Sequence, residues 1–267
     1  MSVTLLLGGL PVYPSGRLAK ETFDYVEHVF DDREMLDVAI RRPDGTTAVD
    51  LGHRGTPPLP VSAAFDAILP EGLGRGSTVS VTGSVSLLLA LLGAASTEGA
   101  WCALVGFPLI SAEAAYEYGI ELSRLALVPD TGSGWTTAVG ALLDAVDVVA
   151  ARPPVRGDLP PGDVRRLAAR ARTRDAVFVP FLVGTAPWPG ADIRLTARHE
   201  HWSGIGAGTG RLRARRVEVR AEGRGSAARA RSASLWLPAA GGGVEAVDRV
   251  DTGRPSATLT PVIDLAG

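Results

Sequence analysis

From Val61 onward, short apolar runs alternate with longer stretches of helical periodicity, and glycine or proline punctuates the joints. The pattern predicts strands over Thr78 to Thr82, Trp101 to Val105, Leu125 to Val128, Val146 to Ala150 and Val177 to Val183. Between them it predicts helices over Ser86 to Ala95, Ala112 to Tyr118, Trp135 to Ala145 and Gly162 to Arg174; Ala138, Leu142 and Leu143 show the helical spacing. The strands are apolar almost throughout rather than alternating, as expected of strands covered on both faces. Strands and helices in alternation argue for parallel βαβ units, hence an α/β fold with a mostly parallel central sheet flanked by helices.

After Pro189 the texture changes. Ile193 to Ala197, Leu212 to Arg220 and Ser234 to Leu237 read as strands without intervening helices, and residues 213–219 follow a two-residue period. This predicts an antiparallel extension of the sheet. Near the start, Leu18 to Phe30 suits a short helix. Met35 to Ile40 and Thr46 to Leu51 flank a Pro43-Asp44-Gly45 turn, and Gly52 to Pro60 reads as a linker. The chain thus divides into a small N-terminal α+β element with its linker (1–58), a core (59–238) and an extended or disordered tail (239–267) rich in Gly, Pro and Thr.

Composition narrows the function classes. Of 267 residues 46% are hydrophobic, enough for one large domain and a small appendage. A lone cysteine, Cys102, rules out an internal disulfide framework and any Cys-based zinc site, and fits a reducing compartment. Residues 1–16 show no basic region followed by a small-residue cleavage pattern. The most apolar run, Val79 to Ala95, falls short of the ~20 residues of a membrane span and is interrupted by serines. A cytoplasmic protein without membrane contact is the expectation. The net charge of −2 conceals a segregation: residues 1–150 sum to −10 and residues 151–267 to +8. Lys20 is the sole lysine, so the cations are arginines.

Among candidate chemistries, His199, Glu200 and His201 lack the third ligand a zinc site needs. Gly132-Ser133-Gly134 lacks the flanks of a nucleophile elbow, and its serine suits the cap of the helix beginning near Trp135. Neither a catalytic group nor a metal site is expected. The strongest positive feature is a series of arginines: Arg211, Arg213, Arg215, Arg216 and Arg220 on one strand, then Arg224, Arg229 and Arg231 in the connection after it. With the two-residue period, Arg211, Arg213 and Arg215 share one face, and Trp202 and Trp236 offer rings for stacking. The readings are a DNA contact, an acidic protein partner, or an edge strand guarded by charge against aggregation.

The stretch from Leu59 to Gly83 resembles the entry to a RecA-type core, where a helix and a Gly-rich turn lead into the first strand. Residues 99–105, residues 118–125 with Pro129-Asp130, and Val146-Asp147-Val148-Val149 resemble its next strands. More narrowly, Arg75-Gly76-Ser77-Thr78-Val79, Gly99-Ala100-Trp101-Cys102, the run from Trp188 to Arg215, and Leu235-Trp236-Leu237-Pro238 resemble the ImuA-type branch in its shortened, lysine-lacking form. The resemblance covers roughly residues 59–238.

Departures from the active pattern are informative. A working phosphate-binding loop needs a Gly-rich turn, a lysine and a Ser/Thr for magnesium. Here Gly83, Ser84, Val85 and Ser86 run straight into Leu87, with no lysine and no second glycine. Arg152-Pro153 stands where the superfamily places its acidic metal ligand, Asp147 lies earlier and out of register, and Gly106-Phe107-Pro108 replaces the segment with the catalytic glutamate; Glu113, farther on, falls in a helix. Gly184 to Gly190 is too short for a recombinase DNA-binding loop. The resemblance therefore implies a protein without enzymatic activity or cofactor, an accessory factor of damage-induced, error-prone translesion synthesis. Its implied partners are an ImuB-like Y-family polymerase homologue, a DnaE-type error-prone polymerase, and DNA. Two alternatives stand beside it: a nucleotide-binding regulatory switch, and a SulA-like cell-division inhibitor.

Overall fold

The computed structural model describes residues 4–5, 56–154, 159–205, 210–224 and 227–247. The expected N-terminal helix and hairpin and Lys20 lie outside the described residues, as does the chain after Val247.

Among the described residues ten strands form one sheet: β1 (Thr4–Leu5), β2 (Val79–Thr82), β3 (Cys102–Val105), β4 (Leu125–Val128), β5 (Val148–Ala151), β6 (Val177–Leu182), β7 (Ile193–Ile205), β8 (Gly210–Gly223), β9 (Arg231–Trp236) and β10 (Glu245–Ala246). Their spatial order is β1-β4-β3-β5-β6-β2-β7-β8-β9-β10. From β4 to β7 all neighbours run parallel; β1 joins β4 antiparallel, and β7 to β10 are antiparallel. The α/β expectation with its antiparallel extension holds.

Four helices connect the parallel strands: α1 (Val85–Thr97), α2 (Ala112–Glu117), α3 (Trp135–Ala145) and α4 (Pro161–Thr173). Successive side chains on a strand point to opposite faces, and the sheet divides its core accordingly. Cys102 and Leu104 join α1 in one buried cluster, whereas Ala103 and Val105 join α3 and α4 in the other. Helix α1 is apolar around most of its circumference, since Leu87 to Leu92 are all buried. Gly93 of α1 lies so close to the carbonyl of Tyr118 that a Cβ there meets backbone. Asp144 of α3 accepts hydrogen bonds from Arg170 of α4 and from Arg174 just beyond it, tying the two helices together. Burial works against the Asp144 charge, but those two guanidiniums win and hold its carboxyl below the usual range.

Several expectations need correction. Leu59, where the linker stretch and the core overlap, belongs with the core: it is buried and exchanges two backbone hydrogen bonds with Leu73. The segment before β2 forms a short 3-10 turn over Ala63–Phe65, capped by Ser62, rather than a helix. Ser133 does not cap α3: a 3-10 turn over Gly132–Gly134 runs directly into it, and Gly134 takes the cap position with no side-chain bond. The Gly132 amide is instead satisfied by the Asp130 carboxylate. Strand β7 continues eight residues past Ala197, and no helix in this structure is long and apolar enough to cross a membrane, among the described residues.

Candidate functional site

In an open α/β sheet the natural ligand position is the C-terminal edge of the parallel strands, where helix N-termini gather. The turn between β2 and α1 lies on that edge and consists of Gly83 and Ser84 alone. Gly83 takes φ +91, a left-handed conformation that lets the chain turn sharply. Ser84 is the helix cap; its Oγ accepts from the Leu87 amide at 3.2 Å.

A cation reaches this turn from a distant strand. Arg215 of β8 donates from Nη2 to Ser84 Oγ at 3.1 Å and from Nε to the Leu237 carbonyl at 2.7 Å. Its guanidinium also stacks over the Trp202 ring, 5.3 Å from the centroid. Beside it, burial raises the Tyr118 phenol above its ordinary value, against a lowering hydrogen bond with Ser86 and the charge of Arg215.

The residues present do not fit a magnesium-bound nucleoside triphosphate. A turn of two residues has no length to wrap a phosphate chain, and its one hydroxyl is already engaged by Leu87 and Arg215. At the end of β5 the next residue is Arg152, and β3 runs into Gly106 and Phe107. Glu113 sits exposed in the first turn of α2. Asp147 lies at the opposite, N-terminal edge, where it pairs with Arg75 at 3.1 Å and accepts from the Trp101 amide at 2.9 Å. That carboxylate is a structural clamp at the base of the sheet. Behind it, burial and then the Asp147 charge push the Cys102 thiol up to about 12.

The eight arginines do not form one cluster. Arg211 and Arg213 are exposed in the distal half of the β7–β8 hairpin, whereas Arg215 turns inward to Ser84. Arg216 and Arg220 point to the other face of the sheet, since Val217 and Val219 between and beside them are fully buried. There Arg220 and Arg194 both approach Glu222, at 3.3 Å and 3.6 Å. Arg224 and Arg231 lie at the N-terminal edge, lining a cavity of about 260 Å³ with Glu71 and Asp192; Arg229 is exposed in the loop between them. The two tryptophans are likewise separated: Trp202 is opposite Arg215 and Trp236 opposite Arg216, on opposite faces. The side chains of His199 and Glu200 lie outside the described set, and His201 is exposed.

Sequence reasoning missed the inward turn of Arg215. The signal was present: Arg215 shares its parity with the buried Val217, Val219 and Ala221, so it belongs to the side that faces α1.

The fold has solved counterparts. The crystal structure of the RadB recombinase superposes with a TM-score of 0.54 at 15% identity, over 71% of this chain and all of that one. The fold is RecA-like. Residues 67–190 match the family described as the MT3502 N-terminal domain. The chain is also 34% identical over 129 residues to the uncharacterized protein Rv3395c of Mycobacterium tuberculosis. That alignment takes in 48% of this chain, and it spans 61% of the length of the mycobacterial protein. The family match ends just before β7, so it concerns the parallel core, within which the two-residue turn is set.

Proposed function

We propose that this chain is a non-catalytic RecA-like accessory protein of damage-induced mutagenesis, an adaptor that binds partners and does not turn over a nucleotide. The observation that carries the reading is the two-residue turn at Gly83-Ser84, closed by the guanidinium of Arg215. Phosphoryl transfer is mostly placed charge and magnesium. Among the described residues, Arg152 after β5 and Asp147 at the far edge support the reading, since neither brings a carboxylate to that turn.

The mutagenesis role rests on the ImuA-type resemblance, and the RecA-like fold supports the core that this resemblance implies. Its partner is an ImuB-like polymerase homologue, with a DnaE-type polymerase and DNA as further components of the same assembly. The exposed Arg211 and Arg213 supply a contact for an anionic partner surface. Co-purification of the full chain with the polymerase homologue, together with damage-induced mutation frequency in a deletion strain, tests the reading. Binding and a lowered induced frequency are expected. A deletion strain with unchanged induced mutagenesis, and no complex, overturns it.

A further inference from the structure

The edge without nucleotide chemistry carries exposed apolar side chains. Among the described residues the large hydrophobics that remain exposed include Leu109 at 96%, Val183 at 72%, Leu212 at 50%, Trp202 at 41% and Val85 at 37%. Val85 opens α1, Val183 follows β6, and Leu109 lies in the loop after β3, so all of these sit on the C-terminal edge of the parallel strands. Phe107 packs on Phe181, with ring centroids 5.5 Å apart, which draws the loop carrying Leu109 over β5 towards the end of β6. Trp202 and Leu212 belong to the part of the hairpin that continues past this edge. Tyr116, on α2, is the exception. Apolar exposure of this kind on one side of a molecule marks an interaction surface.

The charge of the same region selects the partner. On the hairpin beyond this edge Arg211 and Arg213 are exposed and Arg215 turns inward to Ser84, whereas Arg216, and Arg198 opposite Glu218, belong to the other face. The exposed acids of this edge, Glu113 and Asp130, lie on the β3–β4 side, away from the hairpin. Nucleic acid is a poorer match than protein. Bases stack on open aromatic faces, yet the Trp202 ring has Arg215 against it and Trp236 looks to the other face. The remaining exposed side chains, Val85, Val183, Leu109 and Leu212, are branched aliphatics, which pack against side chains.

We propose that this edge, from Val85 and Val183 to Trp202, Leu212, Arg211 and Arg213, docks an acidic segment of a partner protein that presents aliphatic or aromatic anchor residues. The anchors sit on the aliphatic side chains, and the carboxylates meet the arginines of the hairpin. The inference rests on the adaptor reading and specifies its docking chemistry.

The test uses the full chain as bait for a random-peptide phage library, followed by fluorescence anisotropy of the selected peptides. Enrichment of peptides combining Asp or Glu with aliphatic or aromatic residues is expected. The double variant R211E/R213E and the variant V183D should each weaken binding by about tenfold or more, while R220E, on the opposite face, leaves it unchanged. Both altered sites are exposed, so thermal melts should match the parent; Val183→Ser replaces V183D if that melt is lowered. No enrichment, or equal affinity for all variants, overturns the proposal. So does an oligothymidylate that displaces the peptides and whose own binding is lost in R211E/R213E, which assigns the surface to nucleic acid. Mutation frequency does not enter this readout, so a failed peptide selection and a failed adaptor role are seen separately.

Discussion

The parallel core and the antiparallel hairpin solve different problems with the same sheet. In the core, strands such as Cys102–Val105 and Val148–Ala151 are buried at every position, and helices cover both faces. The hairpin of β7 and β8 keeps only one buried row, with Leu195, Val217 and Val219 facing the α1 side, and gives its other row to arginine, glutamate and serine. Its distal half leaves Trp202, Leu212, Arg211 and Arg213 exposed. The core specifies the fold, and the hairpin supplies surface chemistry. Arg215 is the bolt between them.

The contrast makes unequal demands on stability. Truncating Leu91, fully buried in α1, should cost about 2–5 kcal/mol in denaturant unfolding, whereas Arg211→Ala in the hairpin should change it by less than about 0.5 kcal/mol. Equal effects would erase the distinction. Gly93→Ala comes next, because its new Cβ meets the Tyr118 carbonyl; a loss of about 1–3 kcal/mol is expected in the same assay. Arg215→Ala should lie in between, at about 1–2 kcal/mol, since it removes hydrogen bonds to Ser84 and Leu237 and the stacking on Trp202.

Smaller effects arise from titration. Asp144 has a lowered folded-state pKa, so its contribution is present above its unfolded value of 3.8 and disappears as pH falls through the folded value. Asp144→Asn should therefore lower stability at neutral pH and flatten the profile below about pH 4, where the parent loses the same contribution. Cys102, with its thiol pushed up to about 12, should resist iodoacetamide at pH 8 in the native chain and label readily in urea. Native labelling seen by mass spectrometry would place that strand nearer to solvent than described.

The core was readable because double burial leaves a plain trace: uninterrupted apolar runs of four to six residues, with glycine or proline at the joints. The hairpin was harder. Beyond Ala197 a register shift between Arg198 and His201 breaks the alternation, which hid most of β7. The missing lysine and displaced Asp147 were visible as absences, and the geometry puts Asp147 at the base of the sheet with Arg75, a pairing between residues 72 apart that no local pattern reveals. The convergence of eight arginines failed for a similar reason: sequence neighbours on a strand alternate faces, and the turns to β9 send Arg224 and Arg231 to the far edge.

On the proposed reading, the C-terminal edge of the RecA-like core meets partners and not a magnesium nucleotide. Calorimetric titration of the full chain with ATP and magnesium addresses it directly, with phosphate release followed in the same samples. No binding heat and no phosphate above the buffer rate are expected. Saturable, magnesium-dependent binding in the micromolar range, lost on Ser84→Ala or Arg215→Ala, would contradict it and make that guanidinium a substitute for the lysine.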